Sequence, residues 1–153
     1  EIITCDWSSD VCSSDLETLI KDCGLYKSKA KNLIATCQIL VDRYHGEVPR
    51  EFDQLVELPG VGRKTANVVV SVLFGTPAIA VDTHVFRVSN RLKLGIAKTP
   101  EEMEQKLQKA IPKKDWAAAH HWLIYHGRRL CKARKPLCNE CFLNHLCPSA
   151  GKV

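Results

Sequence analysis

The densest chemistry in this chain is "CKARKPLCNECFLNHLC", which sets Cys131, Cys138, Cys141 and Cys147 at C-x6-C-x2-C-x5-C. Four thiolates so spaced can hold either a tetrahedral zinc ion or a four-iron cluster, and generic spacing alone favours zinc. The other four cysteines, at 5, 12, 23 and 37, are scattered. Such grouping argues for metal ligation over disulfides in a chain whose thiols stay reduced. Lys132, Arg134 and Lys135 fall in the first loop of the pattern. Solvated surface is the ordinary role for three such charges, but a ligand-pinned loop holds them rigidly, which suits phosphate contact.

A second constellation is "LVELPGVGRKTANVVV". Leu58 ends a short helix, Pro59, Gly60, Val61 and Gly62 form a turn, and Arg63 and Lys64 open the next helix. Glycines let the backbone turn tightly and approach a ligand, and the free N–H groups at the start of a helix favour an anion. A plain packing hairpin is the competing reading, and the neighbouring cations weigh against it. Lys64 beside such a turn is a phosphate contact or, when neutral and given a partner, a nucleophile. Asp82, in "IAVDTHVFRVSNR", is either the cap of the following helix or that partner. Spacing does not decide between the two. His84 stands close enough in sequence to orient Asp82, whereas His120 and His121 read as packing or hydrogen-bonding groups.

The elements that must position these residues are helical throughout. Apolar periodicity predicts helices over Ser28 to Tyr44, Phe52 to Leu58, Arg63 to Phe74, Asp82 to Leu92, Thr99 to Ala110 and Asp115 to Arg129. "GTPAIAVD" is an extended connection that fits a crossing between domains. No strand pair is convincing, so the fold class is all-α. Trp116, Trp122 and Tyr125 recur at helical spacing and are expected in the core.

Composition narrows the partners. Glu1 to Asp15 holds four acids and no base, so the formal charge of +5 becomes +9 from Leu16 onward, with 22 basic and 13 acidic residues. A polyanion is the natural partner. No apolar run is long enough to span a bilayer, and the N-terminus lacks the order of a secretory signal, which together predict an intracellular protein.

"LPGVGRKTANVVV" followed by "AIAVDTHVFRVSNRL", and then "HHWLIYHGRRLC" and the cysteines, resembles the endonuclease III branch of the helix-hairpin-helix DNA glycosylases. The resemblance covers Leu16 to Cys147. It implies a helical-barrel domain, here incomplete and N-terminally truncated, over residues 17–76, and an iron–sulfur cluster domain over 77–153. It makes Lys64 the catalytic lysine and Asp82 the catalytic aspartate, with Leu58 to Arg63 and the basic loop gripping DNA. It turns the cysteine preference from zinc to a [4Fe-4S] cluster. The implied activity is glycosylase and AP lyase action on oxidised pyrimidines in damaged double-stranded DNA, expected to be impaired in a chain truncated in this way, by a cytoplasmic, nucleoid-associated bacterial monomer with no membrane partner. A non-catalytic DNA-binding iron–sulfur or zinc module is the alternative from another class. Adenine-type glycosylases, which typically lack a lysine at this position, are the alternative within the family. "DWSSDVCSSDL" has neither helical nor strand period, and Asp6 to Leu16 resembles the translation of a sequencing-library adapter. Residues 1–16 are therefore expected to be a non-native, irregular tail.

Overall fold

A computed structural model describes residues 13–152. Among these the fold is all-helical: α1 (Ser13–Leu19), α2 (Tyr26–Tyr44), α3 (Phe52–Val56), α4 (Arg63–Val72), α5 (Thr83–Leu92), α6 (Pro100–Ala110) and α7 (Trp116–Arg129). A 3-10 turn at Lys113–Asp115 leads into α7, and two more, Cys138–Glu140 and Asn144–Leu146, lie between the clustered cysteines. The chain divides into two compact units, the first ending at Val61 and the second running from Gly62 to Val153.

The irregular tail expected at the N-terminus lies mostly outside the described residues, but Ser13 to Leu16 belong to α1 and correct that expectation. Leu16 and Ile20 stand four apart and are half-buried, and the Ile20 N–H donates to the Leu16 carbonyl at 3.1 Å. Asp15 lies in the first turn, where a negative charge favours the helix. In α2 only Ala30 is fully buried across 19 residues, and Leu33 and Val41 are exposed. The helix ends at His45 and Gly46, both left-handed, with the Gly46 N–H returning to the Leu40 carbonyl at 2.9 Å.

In the second unit α5 and α6 start on side-chain caps visible in the sequence, Asp82 and Thr99. The Thr99 side chain accepts from the Glu102 N–H at 3.2 Å, Pro100 stands at the first helical position, and Glu102 accepts from the Lys98 N–H at 2.9 Å. The core joins the segment before α5 to three helices. Ile79, Val81, Val85, Val88, Met103, Leu107, Ala119 and Leu123 form one buried cluster. Each large apolar side chain so buried contributes about 1.5 to 3 kcal/mol.

Gly127 lets α7 approach α5 closely. A Cβ there would lie 3.1 Å from both His84 Cβ and Val88 Cγ2. Ala119, Leu123 and Gly127, four apart on α7, form the buried stripe. The aromatic expectation fails in part. Trp116 is half-buried against the core and its indole N–H donates to the Ile111 carbonyl at 2.9 Å. Trp122 and Tyr125 are 63% and 53% exposed, because both lie off the stripe of α7 that faces α5.

Candidate functional site

The turn that ends the first unit is held from α2. The Thr36 hydroxyl donates to the Pro59 carbonyl at 3.0 Å. Gly60 sits at φ +76°, and a Cβ there would come within 2.6 Å of Asn32 Nδ2, so both conformation and space require glycine. Leu58 is buried, Pro59 and Val61 are half-buried, and the Val61 N–H closes the turn on the Leu58 carbonyl at 3.0 Å.

The second unit opens at Gly62, whose extended backbone caps α4 without a side chain. The first-turn N–H groups of α4 therefore have no side-chain acceptor from their cap. Arg63 is engaged: its guanidinium donates to Glu104 of α6 at 3.0 Å, and that carboxylate is 11% exposed. Glu104 was not apparent as a partner from sequence, since 41 residues separate the pair. Lys64 is exposed on the first turn of α4. Asp82 is half-buried and caps α5, its Oδ1 accepting from the Val85 N–H at 2.8 Å. Its other oxygen makes no hydrogen bond among the described residues. His84 does not orient Asp82: its Nδ1 lies 3.2 Å from an Arg87 guanidinium nitrogen.

Besides Glu104, His120 is a second buried titratable group of this region. Its Nδ1 is 2.7 Å from the Ala80 carbonyl, two residues before Asp82, and its ring meets His121 edge-on with centroids 5.1 Å apart. A carbonyl only accepts, so Nδ1 carries the proton and donates. Burial lowers its pKa; the Ala80 bond and Asp82 oppose this, while His121 and Lys64 add to it.

The cysteine loop follows directly from α7. Cys131, Cys138, Cys141 and Cys147 are all half-buried and line one cavity with Arg91, His126 and Leu137. The Leu137 N–H returns to the Leu130 carbonyl at 3.0 Å, closing the first loop, and Lys135 takes a left-handed conformation before Pro136. Lys132, Arg134 and Lys135 are exposed on this loop.

Two arginines of α5 fasten the loop, and sequence reading missed both. Arg87 donates to the Cys131 carbonyl through Nε at 3.2 Å and Nη2 at 3.0 Å, and to the Gly127 carbonyl at 2.9 Å. Arg91 donates to the carbonyls of Lys132 at 2.7 Å and Ala133 at 3.1 Å, and to Cys131 Sγ at 3.3 Å. On a helix, arginines four apart read as solvated surface; only the return of the chain 40 residues later reveals their acceptors. His126 Nε2 lies 3.8 Å from Cys141 Sγ, and burial lowers the pKa of that ring.

This donor set fits an iron–sulfur cluster. Four soft thiols surround a common cavity, each from a different point of the loop, as one ligand per iron requires. Among the described residues, no three His, Cys, Asp or Glu side chains converge as ligands of a single metal ion. Two nitrogen groups already approach the sulfurs, the kind of hydrogen bonding that such thiolates accept.

Residues 131–147 match the iron-sulfur binding domain of endonuclease III, and residues 8–113 match the HhH-GPD superfamily base excision DNA repair proteins. Endonuclease III of Rickettsia conorii is 55% identical over 132 residues, covering 86% of this chain and 63% of the relative. That of Escherichia coli K12 is 52% identical over 138 residues, covering 90% and 65%. A solved endonuclease III trapped as a covalent intermediate with DNA superposes with a TM-score of 0.87 at 53% identity, over 92% of this chain and 66% of that one. The chain thus spans somewhat less than two thirds of the length of the curated relatives it matches. The cofactor of the cysteine loop is a [4Fe-4S] cluster. No helix among the described residues is long and apolar enough to cross a membrane. With the hairpin sequence, the helical fold and the cysteine loop agreeing, the chain belongs to the HhH-GPD superfamily of base excision DNA repair proteins.

Proposed function

We propose that this chain is the larger part of a base-excision-repair DNA glycosylase with AP lyase activity on oxidised pyrimidines in duplex DNA, acting as a cytoplasmic, nucleoid-associated monomer. The observation that carries this reading is that one compact unit contains Lys64, Asp82 and the cysteine loop. The similarity to a covalently trapped endonuclease III–DNA complex supports it.

A base within a duplex is inaccessible, so the target nucleotide is turned out of the stack. Lys64 Nζ attacks C1′ as the base leaves with the glycosidic electron pair. Loss of a proton from the nitrogen and opening of the sugar ring give an imine between Lys64 and C1′. Removal of a C2′ proton then expels the 3′ phosphate by β-elimination. Asp82, through the carboxylate oxygen not used in capping, stabilises the positive charge that develops on the sugar and accepts the amine proton. The turn from Leu58 to Gly62 and the exposed cations Lys132, Arg134 and Lys135 hold the phosphates, while Arg63 steadies the start of α4 through Glu104.

Borohydride reduction tests the central step. The iron-loaded chain, mixed with duplex DNA containing an abasic site, should yield a covalent complex. Lys64→Ala should abolish it while changing duplex affinity less than about threefold, because the phosphate contacts are spread over two loops. Undiminished trapping by the variant would assign the nucleophile to another amine.

A further inference from the structure

Asp82 has to present a free carboxylate oxygen while its other oxygen caps α5, so its placement depends on what anchors the chain before it. The stretch Ala78 to Val81 is buried throughout. Its one side-chain hydrogen bond among the described residues is to His120, whose Nδ1–H meets the Ala80 carbonyl at 2.7 Å from 40 residues away. His120 itself is buried on α7, next to Ala119 of the stripe that packs against α5. We propose that His120 is a positioning residue for Asp82, fixing through Ala80 the point at which the chain enters α5. This rests on the assignment of Asp82 to the reaction above.

The charged or titratable groups whose fields reach the ring are Lys64 of α4, Asp82 at the head of α5 and the adjacent His121, whose ring meets it edge-on. A neutral ring suits this place. It donates from Nδ1 and sets no second cation beside Lys64 or beside the charge that develops on the sugar. Burial favours the neutral form. His120 touches none of the reacting atoms in this scheme and acts through the backbone alone.

The Val85 N–H reports the arrangement directly, because it is the donor that Asp82 caps. Amide exchange in the iron-loaded chain is compared for the unsubstituted protein, His120→Leu, His120→Gln and His120→Asn. Asparagine places an N–H close to Nδ1, whereas glutamine carries it farther out. A lost donor that strands a buried carbonyl should speed Val85 exchange about tenfold in the Leu and Gln variants, with Asn within about threefold of the unsubstituted chain. Exchange at Leu107, in the α6 core, should stay unchanged. Unaltered Val85 exchange in the Leu and Gln variants overturns the proposal, and so does equal acceleration at Leu107 or failure of Asn to restore the rate. Release of thymine glycol should fall in the same order, with DNA affinity constant. Absence of both release and trapping in the unsubstituted chain would contradict the glycosylase reading instead, and the exchange result would still decide whether His120 holds Asp82.

Discussion

The two compact units differ in how they are held. The second has a continuous buried cluster drawn from the segment before α5 and from α5, α6 and α7. The first buries Ala30, Leu55 and Leu58 and leaves Leu19, Leu25, Leu33 and Val41 exposed. Its specific ties concern the turn: Thr36 to Pro59, and Asn32 against Gly60. The groups assigned to bond breaking thus sit in the region with the apolar core. The first unit holds the turn proposed to bind phosphate by a few local contacts.

The comparison breaks most visibly in the core. Leu107→Ala removes a fully buried side chain and should destabilise the second unit by about 2 to 5 kcal/mol, read as a lower urea midpoint. An effect below about 0.5 kcal/mol would show that this cluster does not carry the stability assigned to it.

A smaller effect should come from acid. Because burial lowers the His120 pKa, the unfolded chain takes up a proton at this position before the folded one does. Above the ordinary histidine value of 6.5 both forms are neutral and stability is unaffected. As pH falls below that value the proton favours the unfolded chain, and the loss grows until the lower folded pKa is reached. Thermal unfolding between about pH 7.5 and 5.5 should therefore show a steeper acid decline for the unsubstituted chain than for His120→Asn. Parallel curves would remove His120 from the acid response.

The smallest effect belongs to the first unit. Leu33→Gln on the exposed side of α2 should change stability by no more than about 0.5 kcal/mol in the same urea titration. A loss comparable to that of Leu107→Ala would show that this face is packed in solution.

Local signals made much of this legible in the sequence. Asp82 and Thr99 were visible as caps, Gly60 and Gly62 as a turn, and the cysteine spacing as a metal loop, because each depends on residues only a few positions apart. Tertiary pairings were hidden. Arg87, Arg91, Arg63 with Glu104, and His120 with Ala80 all find partners about 40 residues away. Trp122 and Tyr125 failed for a related reason: periodicity gives the angle of a side chain around α7, and only the Gly127 contact reveals which side meets α5. α1 was missed because a polar, period-free stretch says nothing of Leu16 and Ile20 sharing a half-buried face.

The α5–α7 contact also bears on how the second unit is assembled. His120 with Ala80, Arg87 with Gly127 and with Cys131, and Arg91 with Lys132 and Ala133 span separations of 40 to 44 residues, all around the same intervening chain that holds α6. Closing that one loop brings every pair within reach together. Its entropy, which grows only as about (3/2)RT ln n, is lost once rather than for each contact. The separations, moderate and nearly equal, favour a single cooperative step in which α7 finds α5. Gly127 then governs a rate as well as a distance. A side chain there would hinder the encounter on which the Asp82 anchor and the arginine ties to the cysteine loop both depend.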